Sequence, residues 1–255
     1  MSDPGSFPPP PPPSLTPPAG AVGYESTAWN RVPLKRVGGL AKALSILLAV
    51  VGVAQLLTLA LVPGAVDAAR DFVSGSIDED EFTERQLPMI GVGSLVGLAT
   101  IAVVVLTMIW LFRIAANHRA LGRRTTFAPG WAIGGWFLPP LLYIIPTLMI
   151  REQWKAAETS SPPGDEGWRR SPEPVLVWVW FLLYSIIPII LLLSGQSYSW
   201  GSTFSNDAED MAERTIDTET GTYLSGIITA ASAVAWLLVV RALTARHRRL
   251  TGEAA

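Results

Sequence analysis

The 255-residue sequence contains no cysteine and only two histidines. That removes disulfide frameworks, thiolate metal sites, iron–sulfur clusters and cysteine nucleophiles. Charge is scarce, 16% of residues against about 25% in an average globular domain. The formal net charge is −2, so there is no electrostatic footprint for nucleic acid. No Asp, Glu, Lys, Arg or His lies in the middle of any long apolar run. Intramembrane ionisable groups mark proton relays and ion pathways. Their lack argues against a proton-coupled transporter and an intramembrane protease. No phosphate-binding glycine loop or nucleophile elbow occurs, and the acidic run Asp78 to Glu81 lacks the spacing of an EF-hand. His118 neighbours Arg119 and has no nearby carboxylate, which disfavours a metal site. No catalytic residue, metal or cofactor is expected.

What is present is apolar sequence in blocks. Residues 43–62, 89–112, 175–193 and 223–240 carry no charge. At 1.5 Å per residue, about 20 residues cross the ~30 Å hydrocarbon layer. These are four expected transmembrane helices, with Pro63 ending the first and Pro188 kinking the third. A fifth apolar stretch, 130–150, holds Pro139, Pro140 and Pro146. Proline removes a backbone donor and clashes with the preceding turn, so a straight lipid-exposed helix is disfavoured there. Before all of these, nine prolines fall in the first 18 residues. The reading is an all-α integral membrane protein with four transmembrane helices and one proline-broken re-entrant or interfacial segment. A disordered Pro-rich tail is expected over 1–37, a polytopic membrane domain over 38–250 and a short tail over 251–255.

The charges sort by side. The loop 64–88 holds seven acids against Arg70 and Arg85, and the loop 194–222 holds six against Arg214. The N-terminal tail, residues 113–124 and the C-terminus are basic. Lys and Arg stay cytoplasmic in membrane proteins, so both termini are expected inside a bacterial plasma membrane. Residues 113–173 must then begin and end inside, and stretch 130–150 must dip in and return or lie in the interface; a five-span protein is the alternative. A full crossing there would place an acidic loop or the basic C-terminus on the wrong side.

Each half of the chain reads apolar span, acidic loop, apolar span, basic extension. Both extensions contain His-Arg-x-Leu, at His118 and His247, each preceded by a tryptophan, Trp110 and Trp236. Gly93 and Gly97 form a GxxxG, and Gly226 and Ala230 a small-xxx-small face. Small residues let membrane helices approach closely, which predicts that the second and fourth spans pack through these four residues in their outer half. Gln55, the one sizeable polar residue near mid-span, is expected to bond between helices. Arg113 and Asn117 lie one helical turn apart, and Gly122 reads as a helix stop.

The stretch from Trp110 to Trp154 contains an Arg113/Asn117 pair at a span end, Pro129-Gly-Trp-Ala132, Trp136-Phe-Leu-Pro139 and Arg151-Glu-Gln-Trp154. In these motifs the sequence resembles an actinobacterial membrane family catalogued as domain of unknown function 4328. The dense match covers about 45 residues. It departs from the family at Leu142 and Ile145, where an asparagine and a lysine are usual, and at Thr147-Leu148, where a tyrosine–glutamine pair is usual. The resemblance implies membrane residence and no established activity, substrate or cofactor. Arg113, Asn117, Trp131, Trp136, Arg151 and Trp154 are the candidate headgroup or ligand contacts. The expected function is a non-enzymatic scaffold or interaction protein. Its recognition surface would lie at the cytoplasmic interface, with anionic headgroups and a protein ligand of the Pro-rich tail as partners. The second reading is a transporter, channel or lipid-handling protein using the broken segment.

Overall fold

The computed structural model describes residues 33–138, 141–162, 165–193 and 207–253. Of the expected tail over 1–37, residues 1–32 lie outside the described residues, as do Pro139 and Pro140, while its last residues are held in place: the Lys35 backbone pairs with Asn117, and Val37 is buried with its N–H on Glu253. Regular structure is entirely helical among the described residues. Two long helices open the bundle, α1 (Gly38–Val73) and α2 (Glu79–Ala120). Short pieces follow: α3 (Trp131–Gly134), a 3₁₀ turn (Leu141–Tyr143), α4 (Ile145–Ala156) and a second 3₁₀ turn (Gly167–Arg170). Next come α5 (Val175–Phe181), a π turn (Leu182–Ile186) and α6 (Ile187–Leu193). The chain closes with α7 (Ala208–Asp217) and α8 (Glu219–Thr251).

Helices α1, α2 and α8 are long and apolar enough to cross a membrane. The apolar stretch Val175–Leu191 forms a shorter helix. It is interrupted as its proline predicts: Pro188 offers no donor to the carbonyl of Tyr184, and the turn before it widens to π geometry, with Ile187 N–H donating to Leu182 O.

The other two prolines behave differently. Pro63 does not end the first span: α1 runs through it to Val73, and α2 begins nine residues before Pro88. Packing outweighs the lost bond. Beyond the prolines, Ala68 and Ala69 of α1, Phe82 of α2 and Ala212 of α7 form a small core of their own, with Phe72 stacked on Phe82 at 4.8 Å. Asp78 caps α2 by accepting from Glu81 N–H, and Asp207 caps α7 by accepting from Glu209 N–H. Acidic first turns then favour both helix dipoles.

The acidic loops meet at this end. Arg70 of α1 bridges to Glu219 at the start of α8, and Arg85 to Asp71. The opposite end gathers the basic extensions of α2 and α8, α4 and the start of α1. Gly122 stops α2 as expected, with φ +75°, and Gly252 ends α8 with φ +69°.

The main core places α1 between α2 and α8, with α5 and the π turn against α8. One expectation is corrected here. Gly93 and Gly97 have nothing within 4 Å of the space a side chain would take, so they line no helix contact. Gly226 does, but against α1: a Cβ there would collide with Leu59 Cδ2 and lie 3.1 Å from Gln55 Nε2. With α1 wedged between them, α2 and α8 are held apart toward the acidic end. They meet near the basic end through large side chains. Trp110 donates to Thr244 at 3.0 Å, Trp236 donates to Thr107 at 3.3 Å, and the two indoles meet edge to face. A Gly226→Leu substitution is expected to cost about 1–3 kcal/mol by overpacking α1. Gly97→Leu is expected to be neutral in apparent unfolding midpoint. Equal effects would contradict this packing.

Candidate functional site

The basic end holds a buried polar chain. Asn117, on the last turns of α2, grips the extended segment before α1. Its Oδ1 accepts from Lys35 N–H at 2.8 Å and its Nδ2 donates to Lys35 O at 2.8 Å. That pairing fixes the orientation of the amide. Nδ2 also lies 2.9 Å from His247 Nε2, so this ring nitrogen must accept. His247 Nδ1 therefore carries the proton and faces His118 Nε2 at 3.2 Å. His118 Nδ1 in turn donates to Gln153 Oε1 at 2.7 Å. One backbone pairing thus dictates both tautomers, and both imidazoles are neutral. Asn117, His118, His247 and Gln153 are all buried. The two histidines marked by the repeated His-Arg-x-Leu are direct partners, joining α2, α4 and α8.

Around this chain, backbone is gathered by charged side chains. Arg123 is 2% exposed, and its guanidinium donates to the carbonyls of Glu158, Ser161, Pro162 and Asp165. Glu152 accepts from the N–H groups of Thr126 and Phe127. Glu253, just past the Gly252 turn, accepts from Val37 and Gly38 N–H and so caps α1. The expected short tail is therefore docked at residue 253. Glu158 accepts from Thr159 and Ser160 N–H and the Ser171 hydroxyl, and pairs with Arg246 at 3.1 Å.

The expected contact residues do not converge on one open pocket. Arg113 donates to Arg36 O, and Asn117 is buried in the chain above. Arg151 and Lys155 pair with Glu173. Trp154 lies under the Arg246 guanidinium, 5.2 Å from its ring centroid. Trp136 packs edge-on to Tyr184, and Trp131 is 39% exposed. His118, His247, Gln153, Arg123 and Glu152 form the centre of this end without standing out in the sequence as contacts. The repeated His-Arg-x-Leu is the available signal for two of them.

Hydrogen bonds set the acid response. The N–H of Ser160, the Ser171 hydroxyl, Arg246 and the N–H of Thr159 hold Glu158 down at about 2. Arg151 and Lys155 hold Glu173 down at about 2 as well. A depressed carboxylate stabilises the fold above its ordinary value of 4.5 and loses that contribution as pH falls toward 2. The apparent thermal midpoint is expected to fall over that window, and the Glu158→Gln/Glu173→Gln double variant to show a shallower fall.

A family profile covers residues 75–245, reaching from the turn before α2 into the last third of α8. The chain belongs to the family described as Domain of unknown function (DUF4328). No curated protein and no solved structure matches it. The DUF4328 segment contains the Trp–Thr pairs, His118, Arg123 and the broken stretch. Helix α1, which packs on both α2 and α8, lies before it, and His247 and Glu253 after it.

Proposed function

We propose that this DUF4328 protein is a non-enzymatic membrane scaffold of the bacterial plasma membrane, with four crossing helices and both termini cytoplasmic. Residues 130–150 enter from the cytoplasmic side and return to it. The recognition surface is the basic end. The carrying observation is that Arg113, Asn117, Arg151 and Trp154 are each engaged by the chain's own groups. These motif residues build a rigid platform, and none of the four is left poised for chemistry. Around it, Arg36, Arg119, Arg124, Arg170, Arg241 and Arg249 are exposed. Each basic group near the headgroups adds about 1 kcal/mol of attraction to anionic lipid. The Pro-rich tail, joined where Lys35 is clamped, carries the protein-binding role.

The threading is tested by single cysteines at Ser74 and Thr159, since no native cysteine competes. An impermeant thiol reagent added outside intact cells is expected to label position 74 and not 159. The surface is tested by replacing Arg119, Arg124, Arg241 and Arg249 with glutamine and measuring co-purifying anionic lipid by mass spectrometry. Unchanged lipid content would reject the platform reading.

A further inference from the structure

Between Arg124 and Arg151 the chain carries no charge, and it leaves a row of large apolar side chains uncovered. Phe137 is 68% exposed, and Ile133, Leu138, Leu141 and Ile144 are all more than 40% exposed. An apolar patch of this kind on a water-facing surface marks an interaction site. Its position says what it meets. Helix α3 packs on α2 and α4, and Gly135 is pressed against Ile145, where a Cβ would lie 2.7 Å from Ile145 Cγ2. The stretch is therefore folded back on itself. Its aromatic side is seated on the apolar helix 175–193: Trp136 and Tyr143 both pack against Tyr184, which also stacks on Trp180. Tyr184 lies nine residues past Val175, about 13 Å along the helix at 1.5 Å per residue. That is close to half of a ~30 Å hydrocarbon layer. On the same helix Val175, Val179 and Leu182 are also exposed, so the apolar row and the helix it is seated on both leave large apolar side chains uncovered.

We infer that residues 131–138 and 141–144 form a wedge that lies among the acyl chains of the leaflet on the basic side, reaching about its inner boundary without crossing to the other. Its partner is hydrocarbon, and it makes the protein broader in one leaflet than in the other. The backbone donors of its first turn are used locally, which lowers the cost of this depth: Trp131, Ala132, Ile133, Gly134, Gly135, Trp136 and Phe137 N–H all donate within the fold, and the carbonyls of Trp131, Ile133 and Gly134 accept. Unsatisfied backbone is what hydrocarbon excludes. The inference rests on the threading proposed above.

The test is Phe137→Cys in the full-length protein in vesicles, labelled with a nitroxide. This side chain is mostly exposed, so the change leaves the fold intact; Leu138→Cys serves as a second site. The expected result is high accessibility to dissolved oxygen, low accessibility to a water-soluble nickel chelate, and no labelling by impermeant maleimide from either face. Low accessibility to both agents would show the row covered by protein, a second copy or another partner, and would overturn the wedge. Maleimide labelling from the basic side would place the row in water and overturn the wedge, while the threading stands. Labelling from the acidic side would overturn both.

Discussion

Replacing Arg123 with methionine is expected to destabilise the protein by about 4 kcal/mol. The guanidinium is buried and holds four backbone carbonyls of the 158–165 loop. Methionine keeps much of the volume and none of the donors. Hydrogen bonds to a charged group are worth about 1.5–3 kcal/mol each, and they do not add fully. The loop also presents Glu158 to Arg246 of α8 and to Ser171, so its release removes one of the ties between α8 and the basic end. Arg123→Lys is expected to recover little, because one ammonium has three donors on a single atom and cannot reach carbonyls on several sides. Unfolding midpoints in detergent, and proteolysis within 158–171, check this. Wild-type resistance in the methionine variant would contradict the cage.

Asn117→Leu is expected to cost about 3 kcal/mol. Three hydrogen bonds disappear, two to the Lys35 backbone and one to His247. His247 Nε2 is then left buried without its donor, which costs about 1–3 kcal/mol by itself. The tautomers of both histidines lose their reference, because the Lys35 pairing set them. Nitrogen chemical shifts of the two imidazoles are therefore expected to change in Asn117→Leu, whereas Arg113→Gln, which loses only the bond to Arg36 O, leaves them in place. A histidine pair insensitive to position 117 would show that the chain does not begin there.

Much of the architecture is legible in the amino-acid order itself. Uncharged runs locate α1, α2 and α8, and the partition of charge foretells that the acidic residues of 64–88 and of 207–222 share one end. Gly122 announces the stop of α2, and the prolines of 130–150 forbid a single helix there. What is not legible has physical causes. Pro63 and Pro88 are helix breakers by propensity, and only the packing of Phe72, Phe82 and Ala212 explains why α1 and α2 continue. A GxxxG records closeness but not the partner, so Gly226 serves α1 while Gly93 and Gly97 serve no helix. The Arg123 cage is invisible in sequence because its acceptors are backbone carbonyls, which every residue has. The repeated histidines are visible as a pattern, but their contact depends on two helices ending at one level.

The two interior prolines have a mechanical consequence. Gln86 of α2 donates to Ala65 O of α1 at 2.9 Å, and in this antiparallel pair that register sets Pro88 beside Pro63. Each helix lacks one backbone bond at this height, so the pair is most compliant there. The acidic module above is a small body with its own core, and the bundle below is braced by the Trp–Thr pairs. Helix α8 has no proline and runs unbroken past this level from Glu219 to Thr251, so it alone carries a full ladder of backbone bonds from the acidic module to the histidine chain and splints the softened pair.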